Sequence, residues 1–224
     1  MNSALNALGK ISYFSEIDEQ LQKELARHAH LMTIESGEIL LLEGDESQAV
    51  YVVASGWLKS SKSSPNGREH VLRFIGAGET FNEVSVLIET TNSTTITALE
   101  PSELYVIHRK AILDLLDKYP RLARTIIQRL ASTVQFLFTM IEDLSLRSIE
   151  ARLARYLLEQ ASDDTLHRPR WATQAEIANH LGTVPNVLNR SLKNLEQEAL
   201  IKVERHQIKI LNISGLAERA SLDK

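Results

Sequence analysis

Cysteine is absent from all 224 residues. That excludes disulfides, thiolate zinc sites, cysteine-ligated iron–sulfur clusters and thiol redox switches together. Long apolar runs are missing too: nothing approaches the roughly 18 residues that a membrane-spanning helix needs. The opening "MNSALNALGKISYF" has no charged start followed by an apolar run and a cleavage site, so the cytoplasm is the expected location. Internal repeats and low-complexity tracts are also lacking. Catalytic constellations are scarce. Small β-barrels can host metal-dependent oxygenases, which need His-X-His and a nearby Glu converging inside the barrel. His28-Ala29-His30 has part of that spacing but falls on a helical stretch ahead of the strands, and nothing later completes the set. No nucleophile–base pair or phosphate loop stands out, so an enzyme is not expected.

What is present fits two domains. The length exceeds one small domain, and 43% hydrophobic residues can build real cores. The net charge of −4 is unevenly spread. Residues 147–224 hold 12 Lys+Arg against 10 Asp+Glu, and within 168–209 the count is 7 against 4. A mildly basic end on an acidic body is compatible with a DNA-binding domain joined to something else.

The pattern along the chain changes twice. "SEIDEQLQKELARHAH" (15–30) places Ile17, Leu21, Leu25 and Ala29 on one helical face. From Met32 to about Ile112, short β-branched runs alternate with turn signals, and Pro65-Asn66-Gly67 reads as a hairpin turn. Such spacing suggests a barrel or sandwich. Next, Ala123, Ile127, Leu130, Val134, Leu137, Ile141 and Leu144 step by four and three, which is an a/d heptad seam. Pro120 is placed to open that helix. The narrow, long stripe favours dimerisation through Ile127, Leu130, Val134, Leu137, Ile141 and Leu144. A second face with Ile126, Thr133, Phe136 and Met140 is expected to pack on the barrel. "SIEARLARYLLEQA" (148–161) is a further amphipathic helix, and "SDDTLHRPR" reads as a polar loop.

The last unit carries the strongest signal. Thr173 to Glu176 fits a capping box, with Thr173 as N-cap. Ile177, Ala178 and Leu181 give an apolar face, and Gly182 supplies a left-handed turn. A second helix follows, with Val187, Leu188, Leu192 and Leu195 inward. Two short helices joined at a glycine turn make a helix-turn-helix, and "EALIKVERHQIKIL" resembles a β-hairpin wing. Pro185 stands at the first position of the second helix, where a missing N–H costs nothing, but it offers no hydrogen bond to a base. Reading therefore falls to Asn186, Asn189, Arg190 and Lys193. Arg190 suits a guanine edge and either asparagine an adenine edge. Lys193, Arg168 and Arg170 suit phosphates. Thr173 and Gln174, at the start of the first helix, and Pro185, at the start of the second, complete the expected DNA-facing set.

These segments, in this order, resemble the Crp–Fnr family of bacterial transcription regulators over roughly residues 14–211. The motifs are "EGDESQAVYVVASGWLKSS", "GREHVLRFIGAGETFNEVSVL", "SLRSIEARLARYLLEQ" and "TQAEIANHLGT…NRSLKNLEQEALI". The resemblance implies an α+β chain: a cyclic-nucleotide-binding-like sensor β-barrel (a double-stranded β-helix) over 1–118, a dimerisation helix over 119–146, and a winged helix-turn-helix over 147–224. It implies a homodimer on double-stranded DNA, with RNA polymerase as a further partner.

The departures concern the effector. Cyclic-nucleotide receptors of the family have a Gly-Glu pair followed about ten residues on by Arg-Ser or Arg-Thr. Here the pairs are Asn82-Glu83 and Ser93-Thr94. No arginine faces a cyclic phosphate, so cyclic AMP is not the expected effector. The cysteine-ligated cluster of the oxygen-sensing branch has no ligands. The Cys and His of the carbon-monoxide-sensing branch are Asn82 and Val84 here. Haem held in the manner of the nitric-oxide-responsive branch stays open, with His28, His30, His70 and His108 as candidates. The reading helix departs as well: a glutamate, a serine and an arginine of the oxygen-sensing regulators correspond to Asn186, Asn189 and Arg190. The expected function is a sequence-specific, homodimeric transcription regulator with its effector unassigned. The competing readings are a regulator that binds DNA only when its barrel is filled, a signalling module that has lost DNA binding, and a metal-dependent barrel enzyme.

Overall fold

The computed structural model describes residues 19–46 and 48–221. The N-terminal segment and Ile17 lie outside the described residues. Helix α1 spans Glu19–His28 and buries Leu21 and Leu25 completely. It ends two residues earlier than its periodicity suggests. Ala29 opens strand β1 (Ala29–Ile34), so His30 sits on a strand rather than on the helix. β-branched and aliphatic residues then build β2 (Ile39–Leu41), β3 (Ala49–Ser55), β4 (Leu58–Ser63), β5 (Glu69–Ile75) and β6 (Thr80–Phe81). After a short helix α2 (Glu83–Ile88) come β7 (Thr95–Ala98) and β8 (Ser102–His108).

These strands form two four-stranded sheets, ordered β1-β8-β3-β6 and β2-β7-β4-β5. Between them lie Ile34, Leu58, Ile75, Phe81, Ile96 and Leu104. Tyr51 and Phe81 stack across the β3–β6 pair with ring centroids 5.1 Å apart. The 64–68 turn closes as a hairpin, with the Ser64 N–H donating to Arg68 O at 2.9 Å. A second core lies where α1, α3 (Arg109–Lys118) and the start of α4 (Pro120–Leu146) cover the first sheet.

Helix α4 opens on Pro120 as its pattern indicates. Of the face assigned to the barrel, Ile126 is buried, Thr133 and Met140 are half-buried, and Phe136 is 42% exposed. Leu122, one turn before Ile126, is the residue that does most of the burying. The heptad seam is bare: Ile127, Val134, Leu137, Ile141 and Leu144 are each 42–64% exposed. Leu130 differs, being half-buried against the core of α1 and α3.

The described chain divides into two compact units. One runs to Arg68 and resumes over Leu72–Ser132; the other holds Glu69–Val71 and the chain from Thr133 onward. The second unit contains α5 (Ile149–Gln160), β9 (Thr165–His167), α6 (Gln174–His180), α7 (Pro185–Gln197), β10 (Ile201–Val203), β11 (Gln207–Ile210) and α8 (Ile213–Ala220). Its three strands pair in the order β10-β11-β9. The wing therefore gains a third strand from a segment expected to be loop. Asp163 and Asp164, both at positive φ, make the tight turn that brings Thr165 back onto Ser162, a conformation that Asp tolerates better than most residues. Leu153, Leu157, Ile177, Leu188, Leu192, Leu195, Ile201 and Leu216 fill the core of this unit.

Candidate nucleic-acid interface

The two-helix motif rests on local chemistry. Thr173 takes extended backbone angles and its hydroxyl accepts the Glu176 N–H at 3.2 Å, satisfying one orphan donor of α6. The helix ends at Gly182, whose φ of 68° belongs to the left-handed region. A Cβ there would come within 3.1 Å of an Arg152 guanidinium nitrogen, so both conformation and space call for glycine. Pro185 is the first residue of α7, as its fixed φ favours.

Helix α7 is divided by face. Leu188, Ser191, Leu192 and Leu195 are buried. Opposite them Asn186, Arg190 and Lys193 are exposed and Asn189 is half-exposed. At 3.6 residues per turn these four fall within an arc of about 100°. No hydrogen bond or ion pair among the described residues engages Asn186, Asn189, Arg190 or Lys193 in side-chain contact. The row is thus available to a partner and rigidly held from behind. Thr173 and Gln174 are exposed at the start of α6, and Arg170 is exposed just before it.

Arg168 is disposed differently from the other basic residues. It is half-buried, its Nη2 donates to Ala172 O at 3.2 Å, and its backbone N–H donates to His206 O at 2.8 Å. It lines a small hollow with Tyr156, Leu157 and Ile208. Tyr156 itself is pushed up to about 12 by burial, with the Arg168 charge opposing. The side chain thus braces the β9–α6 connection. The wing tip carries what the sequence reading passed over. Arg205 and His206 are exposed between β10 and β11, while Lys209 reaches Glu204 at 3.4 Å. The signal was available in "VERHQ", since a basic residue at a hairpin turn points to solvent whatever the strand register.

The sensor unit has its own polar cluster. Asn82 caps α2 at a φ of 75° and its Nδ2 donates to Ala49 O at 2.9 Å. The Glu83 carboxylate accepts from the Thr80 hydroxyl. Arg73 donates from Nη2 to Thr80 O at 2.8 Å. Burial pushes the Arg73 guanidinium down, and the charges of Glu79 and Glu83 oppose that. Thr94 accepts from Ser60 Oγ at 2.9 Å, whereas Ser93 is exposed. Arg109 is spent at the far end of α2, on Val86 O at 2.9 Å and Glu89 at 3.1 Å. The four histidines do not converge. His28, His30 and His108 are exposed, with the His30 and His108 rings 6.2 Å apart, and His70 lies on β5. Among the described residues no group of three or more His, Asp or Glu is placed to hold a metal ion. No described helix is long and apolar enough to cross a membrane.

Comparison with known proteins agrees with this layout. Residues 31–119 match the cyclic nucleotide-binding domain, and residues 151–219 match the Crp-like helix-turn-helix domain. The chain is 29% identical over 213 residues to a probable transcriptional regulator, flp, of Lacticaseibacillus casei, covering 94% of this chain and 96% of that one. It is 23% identical to the CRP-like cAMP-activated global transcriptional regulator of Mycobacterium tuberculosis, covering 95% of this chain and 98% of that one. Among solved structures, FixK2 of Bradyrhizobium japonicum superposes with a TM-score of 0.78 at 18% identity, over 88% of this chain and 99% of that one, which speaks to the fold. A sensor domain followed by a Crp-like reading domain, in relatives matched nearly end to end, makes this protein a member of the Crp/Fnr family of DNA-binding transcription regulators.

Proposed function

We propose that the protein acts as a homodimer, paired along the bare seam of α4, that reads an inverted repeat without any cyclic nucleotide. Residues 1–118 form the sensor, 119–146 the pairing helix and 147–224 the reading domain. The observation that carries the proposal is the row Asn186, Asn189, Arg190 and Lys193, held on a helix whose opposite face is locked in a core. Arg190 takes a guanine edge, and the asparagines take adenine. Lys193, Arg170, Thr173 and Gln174 hold phosphates and set the register. Two such helices fit half-sites about one DNA turn, roughly 34 Å, apart. Arg168 is left a structural role.

The sensor cluster supports independence from cyclic nucleotides. Ser93-Thr94 supplies no cation, and Arg73 and Arg109 are already committed to Thr80, Val86 and Glu89. A phosphodiester entering there would bury an unpaired charge, which is strongly unfavourable. The setting is the cytoplasm, and RNA polymerase is the partner that a transcription regulator must reach. Regulation rather than catalysis is the reading the relatives support.

Fluorescence anisotropy on an inverted-repeat duplex tests the role of Arg190. Arg190→Ala should lose about tenfold or more in discrimination at one guanine of each half-site. Unchanged affinity and base preference would remove Arg190 from the reading row.

A further inference from the structure

The front of the reading helix is apolar where a polar residue would serve the fold better. Val184 is the N-cap of α7, at φ −117° and ψ 155°, and its side chain makes no cap hydrogen bond. Ser, Thr, Asp or Asn there would satisfy an orphan N–H. Valine also stays 49% exposed, so core packing does not account for it. Pro185, the next residue, is exposed as well. Being one turn before Asn189, it lies beside the Asn186–Arg190 row on the same side of the helix. The first residues of a reading helix are those that enter the major groove. There the one apolar group a base edge offers is the thymine 5-methyl.

We propose that Pro185, with Val184 beside it, forms an apolar contact surface for a thymine methyl in each half-site, and so fixes a T·A pair next to the bases read by Asn186, Asn189 and Arg190. This rests on α7 being the reading helix. The exposed ring and valine are an energetic cost in the free protein, and the methyl group relieves it by excluding water from both. The substitution pattern of the helix then has one logic. A proline at this place gives up a hydrogen bond to a base and gains a rigid apolar surface that no hydrogen-bonding side chain offers.

The test replaces thymine by uracil, one position at a time, in an inverted repeat selected by the full-length protein from random DNA. Uracil removes only the methyl. One position per half-site should cost the wild type about 4-fold in affinity per half-site, the value of one buried methyl-sized group. Pro185→Ser, which keeps a residue acceptable in the first turn, should bind the thymine and uracil sites alike. That pairing of DNA and protein changes separates a direct contact from an effect on DNA shape. Val184→Ser supplies a second reading that folding cannot mimic: it should raise the melting temperature by restoring a cap while shrinking the thymine–uracil difference. If every uracil position is neutral for the wild type, or if Pro185→Ser keeps the full difference, the contact does not exist while the reading helix still stands. If no sequence is selected at all, the reading of α7 fails and the thymine contact fails with it.

Discussion

Arg147 Nε donates to Asp143 Oδ1 at 2.7 Å, one turn back at the end of α4. The same guanidinium gives Nη2 to Glu142 at 2.8 Å and Nη1 to the carbonyl of Ala220 at the end of α8 at 2.5 Å. Arg155 on α5 reaches Asp143 from the other side at 3.2 Å. Arg147, only 10% exposed, therefore ties the tail of α4 to α8, and Arg155 ties the same tail to α5 through Asp143.

Removing that tie should be costly. Arg147→Ala leaves Asp143 and the Ala220 carbonyl short of a donor in a poorly hydrated place. The expected loss is about 2 kcal/mol of unfolding free energy, the value of hydrogen bonds to a charged donor with partly buried acceptors, since Asp143 keeps Arg155 and Glu142 is 42% exposed. Arg147→Lys should recover only part of it, because a lysine cannot serve three acceptors in a planar fork. Urea unfolding of the two variants checks this; a loss below about 1 kcal/mol for the alanine variant would show that the junction does not hold the unit.

The two arginines flanking Pro169 should behave in opposite ways. Arg170 is exposed, and Arg170→Ala should weaken DNA binding evenly across sequences and reduce the salt slope by about 1. Arg168 is turned onto Ala172 and Tyr156. Arg168→Ala should lower the melting temperature and leave the salt slope alone. Titrations of affinity against salt, together with melting curves, distinguish them, and exchanged outcomes would reverse the two roles.

The hydroxyl of Tyr156 gives the reading unit a limit at high pH. Burial holds its folded-state value at about 12, above the ordinary phenol range. A raised value means that the folded state keeps a proton the unfolded chain releases. The contribution is complete below about pH 10 and is lost as the pH rises towards 12. Stability should fall through that window, and Tyr156→Phe should flatten the fall. An identical pH profile for both proteins would contradict the burial of this group.

The seam of α4 should decide assembly. Ile141 is 60% exposed in the single chain and occupies an a/d position. Ile141→Asp places a charge in the centre of the paired helices. Sedimentation should then report monomer at concentrations where the unchanged protein is a dimer, and helix-turn-helix melting should be unaffected.

What could be read from the sequence follows from how local each signal is. The Thr173 cap, the Gly182 turn and Pro185 at the helix start depend on neighbours within four residues, and all three take the expected geometry. Most of the exposed α4 stripe is also legible, because one helical period places Ile127, Val134, Leu137, Ile141 and Leu144 on one face. The rest depends on partners far along the chain. Strand β9 is only Thr165–His167 and exists because β11 pairs with it, so its three residues in a polar stretch carry no pattern. Helix α2 is written "EVSVLI", a β-branched run, and is helical because Asn82 turns left-handed to start it. Arg168 looks like any basic residue before a reading helix until Tyr156 and Ala172 are placed around it. Leu130 has the right heptad position, but its core-facing contact was invisible without the fold around α1 and α3.

The most direct measurement is selection of bound duplexes from random DNA with purified full-length protein and nothing added. Enrichment of an inverted repeat, with half-site centres about one helical turn apart and a guanine in each half, is the predicted result. A folded protein that enriches no sequence would contradict α7 as a reading helix.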